Sequence, residues 1–347
     1  MSVALDVGTH ELKSLRYDAE PLNARRCRAA YSVIDDVPHH RDVLERLGIS
    51  FAVCEKRLLV PGDSAVNFEQ LFRAPCETLF PAGALNAGDP LSRQIAATLV
   101  EALVGRATAE GELCALTLPA DLKSGGNGTS PQREFFGRVV RLLGYTPLEV
   151  ATPQALVLAE LGNDAFTGIG LSFGAGSAQA GLMHRGNVLA ACEVPFGGNW
   201  IDLRLARAQQ LFVWDARGRK QLDTAKARHA KETFAGDVRR GETESELQLA
   251  DLYRGMVEFL LREAAVTFGA VTKQMPIPGP LPMVVSGGSA RVPGFRELLG
   301  DVLPTVSFPV QVADVRMAVS CPYTVTRGGL IRAELETVAE TPAASAA

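Results

Sequence analysis

Three turns built from small residues carry the chemistry this chain can do. Asp6-Val7-Gly8-Thr9 stands near the N-terminus with Lys13 beyond it, Ser172-Phe173-Gly174-Ala175-Gly176-Ser177 stands at mid-chain, and Ser286-Gly287-Gly288-Ser289-Ala290 comes late. Glycine lets backbone N–H groups approach a ligand closely, and a hydroxyl and an ammonium beside such a turn complete a cradle for phosphate. Each turn follows a short apolar run (Val3 to Leu5, Gly168 to Leu171, Pro282 to Val285), so each reads as a strand feeding a turn. One such turn is weak evidence. Three in this order point to two similar lobes closing around one nucleotide.

The elements that must position these turns follow one plan, used twice. In the first half, Val3–Asp6 and Leu12–Tyr17 form a hairpin, and Ala29–Ile34, Ile49–Val53 and Arg57–Val60 are strand-like, with His39, His40 and Arg41 in a polar loop between them. Asp89–Val104 reads as a helix with Asp89 as N-cap and Pro90 at its first position. Leu113–Leu118 is a buried strand, 123–130 a loop, and Pro131–Leu143 and Pro153–Leu161 are helices stopped by Gly144 and Gly162. In the second half, Gly168–Leu171, Gln179–His184 and Asn187–Pro195 read as a three-stranded meander turning at Arg185-Gly186. Helices are expected over Asn199–Phe212, 223–236 and Glu244–Thr272, the last with an apolar stripe of Leu247, Leu252, Met256, Phe259, Leu260 and Val266. A Pro-rich linker at 275–282 precedes the strand 282–285 and the helices Pro293–Leu303 and Val325–Glu336, and 337–347 reads as a disordered tail. Hairpin, strand and helix thus recur near residues 3 and 168, which divides the chain into domains at 1–150 and 151–336.

Composition excludes several functions. At 347 residues two domains are the natural division, and a net charge of −4 argues against nucleic acid as the main ligand. No run of 18 apolar residues is present to span a membrane and no signal-peptide pattern opens the chain, so the protein reads as cytoplasmic. Cys27, Cys54, Cys76, Cys114, Cys192 and Cys321 are scattered, without a C-x-x-C pair, and read as reduced thiols.

With these motifs in order, the chain resembles the actin-like ATPase superfamily, which includes actin, the bacterial actin MreB and the heat-shock chaperones, over roughly residues 1–336. The resemblance implies an α/β fold of two actin-like (ribonuclease-H-like) domains with a nucleotide cleft between them, and ATP with Mg²⁺ as ligands. In LDVGTHELK, Asp6, Gly8, Thr9 and Lys13 match the magnesium-associated Asp, the turn Gly, a phosphate-facing hydroxyl and a phosphate-binding Lys, with Asp6 reaching the metal through water. In TPQALVLAELG, Gln154 matches the residue that orients the attacking water. Gly174, Gly176 and Ser177 match the second phosphate loop, and Phe196-Gly197-Gly198-Asn199-Trp200-Ile201-Asp202 matches the family's Gly-Gly turn into a helix, with Gly198 near the nucleotide. Gly287 and Gly288 match the adenosine loop, and Lys231 matches a Lys on the helix over the adenine.

The chain also departs from the pattern. Ser172 stands where the family has an Asp that accepts a proton from water, and a serine hydroxyl is a poor base at neutral pH. Arg228 stands where a ribose-binding Glu is usual, and only a charged turn fills 232–244, which reduces the second subdomain of the C-terminal half. Three functions fit: a bacterial cytoskeletal protein with weak ATP hydrolysis that self-assembles into filaments, a non-polymerising nucleotide-gated adaptor or chaperone-like switch with a protein partner, and a pseudo-ATPase.

Overall fold

The computed structural model describes residues 2–17, 22–67, 75–86, 88–119, 130–214, 218–275, 277, 279–319 and 321–340. The loop expected over 123–130 lies outside these residues except for Ser130, which caps the helix that follows. Two compact units emerge, residues 1–150 with 325–347, and residues 151–324.

In chain order the first unit contains β1 (Val3–Val7), β2 (Glu11–Arg16), β3 (Asn23–Arg28), β4 (Ala30–Asp35), α1 (Pro38–Arg46), β5 (Ala52–Cys54), β6 (Arg57–Pro61), α2 (Asp63–Asn67), β7 (Cys76–Thr78), α3 (Pro90–Val104), β8 (Leu113–Thr117), α4 (Pro131–Leu142) and β9 (Thr146–Glu149). Its main sheet has the order β3-β2-β1-β8-β9, with β1–β2–β3 antiparallel and β1, β8 and β9 parallel. Val3, Leu5, Val7 and Leu12 alternate onto one face and pack with Leu99, Val100, Phe136 and Val140 of α3 and α4. A smaller sheet, β5-β6-β4-β7, carries α1 and α2.

The second unit contains α5 (Thr152–Glu160), β10 (Gly168–Phe173), β11 (Ala178–His184), β12 (Asn187–Val194), α6 (Gly198–Ala208), β13 (Phe212–Trp214), β14 (Lys220–Leu222), α7 (Thr224–Glu232), α8 (Glu244–Thr272), β15 (Leu281–Ser286), α9 (Phe295–Val302) and β16 (Val312–Met317). Its main sheet has the order β12-β11-β10-β15-β16, the same plan as the first. The expected meander is present, and its turn uses left-handed backbone at Arg185 and Gly186. The long helix occupies the expected span because Thr243 and Glu246 form a reciprocal capping box at its start.

Several expectations are corrected. His39, His40 and Arg41 lie in helix α1, which Pro38 opens at its first position and buried Leu44 anchors to the small sheet. The helix expected to run to Phe212 ends at Ala208, and Phe212–Trp214 instead pairs with Lys220–Leu222 as an isolated hairpin. The helix expected from Pro293 begins at Phe295, because Gly294 is left-handed. The buried face of α8 is Leu249, Tyr253, Met256, Val257, Leu260, Leu261, Ala264 and Phe268, whereas Leu247, Phe259 and Val266 of the expected stripe face solvent. The terminal helix α10 (Thr324–Glu340) continues through 337–340, where a disordered tail was expected; 341–347 lie outside the described residues. It also belongs to the first unit, where Gly329 packs on Ala4 of β1 and Ala115 of β8, so the second domain does not extend to 336.

Candidate functional site

In the second unit, β10 and β11 are joined by residues 174–177, closed by the Gly174 N–H donating to the Ser177 carbonyl at 3.0 Å. A second turn docks on the first: the Gly198 N–H donates to the Gly174 carbonyl at 2.9 Å and the Asn199 N–H to that of Ala175 at 2.8 Å. A Cβ on Gly197 would stand 2.6 Å from both the Ala175 oxygen and the Ser177 nitrogen, so glycine is what lets the turns meet. The late turn joins them through the Ser289 hydroxyl, which donates to the Gly174 carbonyl at 3.2 Å. At Gly287 φ is 111°, and a Cβ would overlap the Phe173 carbonyl. Nothing lies within 4 Å of a Cβ built on Gly288, so the fold itself does not require that glycine.

Helix α7 completes the assembly. The Lys231 ammonium donates to the Gly198 carbonyl at 2.9 Å and pairs with Asp202 Oδ1 at 2.6 Å. Arg228 donates from Nε to Asp202 Oδ2 at 3.1 Å and from Nη2 to Asn199 Oδ1 at 3.3 Å. Asp202 is fully buried, and both its oxygens face cations. Burial pushes the Lys231 pKa down, and the Asp202 carboxylate pulls it back up. Gly174, Gly176, Ser177, Gly198, Lys231, Gly287 and Gly288 therefore gather at one end of the main sheet of this unit. Ser172 lies on β10 just before the turn, opposite Gln179 and Ser286.

Gln154 is not among them. Its side-chain amide donates to the Gly186 carbonyl at 2.9 Å. Gly186 lies in the β11–β12 turn, at the far end of β11 from the Gly174–Ser177 turn. The seven residues of β11 separate the two ends, about 23 Å at the rise of an extended chain.

In the first unit, Asp6, Gly8, Thr9 and Lys13 share the β1–β2 turn. The Gly8 N–H donates to the Glu11 carbonyl at 3.1 Å, and Thr9 is buried. The Thr117 hydroxyl donates to Asp6 Oδ1 at 2.8 Å, and Lys13 lies directly opposite Asp6 in the ladder. Burial raises the Asp6 pKa, while Lys13 and the Thr117 hydrogen bond lower it. Lys13 also pairs with Glu11 at 3.5 Å.

Sequence reasoning missed that Arg228 and Lys231 share one carboxylate. The available signal was their spacing of one helical turn, which puts both on one face of α7.

A family model described as Volactin matches residues 1–333. The chain belongs to the Volactin family. Solved structures similar to this Volactin member include a MamK double helical filament, with 16% identity, a TM-score of 0.65 and coverage of 96% of this chain and 99% of that one. MreB 5 of Spiroplasma citri bound to AMPPNP is similar at 13% identity, a TM-score of 0.65 and 97% coverage of each chain. The ADP-bound form of that protein has a TM-score of 0.62 at 12% identity, with 97% and 98% of the two chains covered. No curated protein sequence matches the chain. The fold of this Volactin protein is that of the actin-like superfamily, a mixed α/β fold of two domains.

Proposed function

We propose that this protein binds ATP with Mg²⁺, assembles with copies of itself as an actin-like cytoskeletal protein, and hydrolyses nucleotide slowly. The observation that carries the reading is the convergence of Gly174–Ser177, Gly197–Gly198 and Gly287–Ser289 at one end of one sheet. Turns that expose backbone N–H groups suit phosphate, and open space at Gly288 suits a flat ring system. In the first unit, taken by itself, the Gly8 turn, the Thr9 hydroxyl and the Lys13 ammonium are also groups that suit a phosphate. Asp6 and Thr9 are hard oxygen donors, which fit a magnesium ion that keeps several of its waters. When bound, that metal supplies positive charge across the phosphates.

Slow turnover follows from two side chains. Ser172 has no charge with which to hold a proton, and the Gln154 amide is engaged at the opposite end of its sheet. The likeness to a MamK filament and to nucleotide-bound MreB 5 supports the assembly and ligand parts of the reading. Calorimetry of the full chain with ATP and Mg²⁺, and pelleting of the same sample, test it. Binding with ATP-dependent pelleting is expected. Absence of binding overturns the reading.

A second reading, a non-polymerising nucleotide switch, is favoured by one observation. Among the described residues between α6 and α8, the second unit has the β13–β14 hairpin and α7, a small subdomain for a filament contact. Binding without pelleting selects it.

A further inference from the structure

The Lys231 ammonium is buried, and its two partners lie on a different helix. It touches the Gly198 carbonyl at 2.9 Å and Asp202 at 2.6 Å, and only 9% of its surface is exposed. Gly198 is in turn a junction. Its N–H reaches the Gly174 carbonyl of the phosphate turn, and a Cβ there would stand 2.9 Å from the Ser289 hydroxyl and 3.1 Å from the Lys231 ammonium. Asp202 is buried on the far side of that ammonium and is held again by Arg228, whose outer nitrogen fixes Asn199, the next residue of the turn. The ammonium is thus consumed by protein groups, and each of them bears on the phosphate turn and not on open space.

We propose that Lys231 is a positioning residue: with Asp202 and Arg228 it pins the Gly197–Asn199 turn onto the Gly174–Ser177 turn and makes no contact with nucleotide. The assignment rests on the nucleotide reading above and changes the role that the resemblance gives this lysine. A pin and a ligand behave differently when the buried carboxylate is removed as well. Loss of the ammonium alone leaves the buried Asp202 carboxylate with Arg228 as its remaining cation and one oxygen unpaired, which distorts the turn, and loss of the carboxylate charge as well relieves that distortion. A direct ligand gains nothing from the second change.

The test is calorimetric titration of the full chain with ATP and Mg²⁺ for wild type, Lys231→Met, Asp202→Asn and the double variant. Lys231→Met is expected to weaken ATP binding roughly ten- to a hundredfold, as removal of supporting residues behind a ligand shell does. The double variant is expected to bind more tightly than Lys231→Met. Wild-type affinity in Lys231→Met, or a double variant no better than the single, overturns the proposal. Absence of binding in the wild type instead sinks the nucleotide reading. A labelling experiment on the wild type needs no variant to fold. A lysine-acylating reagent followed by mass spectrometry should modify exposed Lys226 and leave Lys231 unlabelled with or without ATP. Labelling of Lys231 that ATP suppresses would mark it as a ligand and overturn the pin.

Discussion

The two units carry the same turn with opposite electrostatics. Asp6-Val7-Gly8 and Ser172-Phe173-Gly174 occupy matching places, and each glycine N–H closes its turn, on Glu11 in one and on Ser177 in the other. Across the first sheet the row beside the turn reads Thr117, Asp6, Lys13, Arg26. Across the second it reads Ser286, Ser172, Gln179, Glu193, with the Gln179 amide donating to Glu193 at 3.1 Å. The backbone plan has been kept while the charge has moved. The first row has a carboxylate at the turn and two cations beyond it. The second has neutral groups at the turn and its one carboxylate at the sheet edge. The chemistry of a turn is therefore decided by one cross-strand row, not by the glycines that shape it.

Five substitutions probe that contrast. The largest effect is expected at Gly287, which has a left-handed φ and no room for a Cβ. Gly287→Ala should cost the second unit about 3 kcal/mol from strain and overlap. Urea unfolding followed by tryptophan fluorescence reports it, since Trp200 and Trp214 both lie in that unit. A variant as stable as wild type would contradict the crowding seen at Phe173.

The matched glycines come next. A Cβ on Gly8 would stand 2.6 Å from the Glu11 carbonyl, and one on Gly174 3.2 Å from that of Ser177. Gly8→Ala should cost about 2 kcal/mol and Gly174→Ala less than about 1 kcal/mol, because only the first forces backbone to move. Circular dichroism through a urea series compares them, and equal costs would mean that the turns are mechanically alike.

Ser172→Asp gives the second turn the carboxylate of the first. ATP turnover should rise about tenfold, equivalent to roughly 1.4 kcal/mol of barrier, if the proton acceptor is what the site lacks. Unchanged turnover with nucleotide still bound would place the defect elsewhere, with Gln154 the next residue to change.

The smallest effect concerns Asp237. Arg239 beside it holds its carboxyl at about 2, below the usual 3.8. A depressed carboxylate stabilises the fold above its ordinary pKa and loses that contribution as pH falls through its folded value. Asp237→Asn should therefore unfold slightly more easily than wild type at neutral pH, and the gap should close between pH 4 and about 2. Thermal melts across that range check the sign.

Much of this was legible from sequence where local chemistry decides the outcome. The span of α8 follows from Thr243 and Glu246, and α3 starts where Asp89 accepts hydrogen bonds from the N–H groups of Leu91 and Ser92. The duplicated hairpins followed from alternation and from the glycines. What failed depended on partners distant in the chain. The exposed side of α8 was misjudged because Leu247, Phe259 and Val266 are as apolar as the residues that β11 and β12 bury. Gln154 occupies the expected helix, yet its direction is set by a carbonyl 32 residues away. The hairpin β13–β14 has no periodic signature, and the one-turn spacing of Arg228 and Lys231 on α7 does not say which carboxylate they share.

The terminal helix α10 gives this chain an unusual order of completion. The first unit is begun by residues 1–150 and finished only by α10, while the second lies wholly within 151–324. On the ribosome, the half that is started first must wait for its last helix, and the half that is started second is the first able to close.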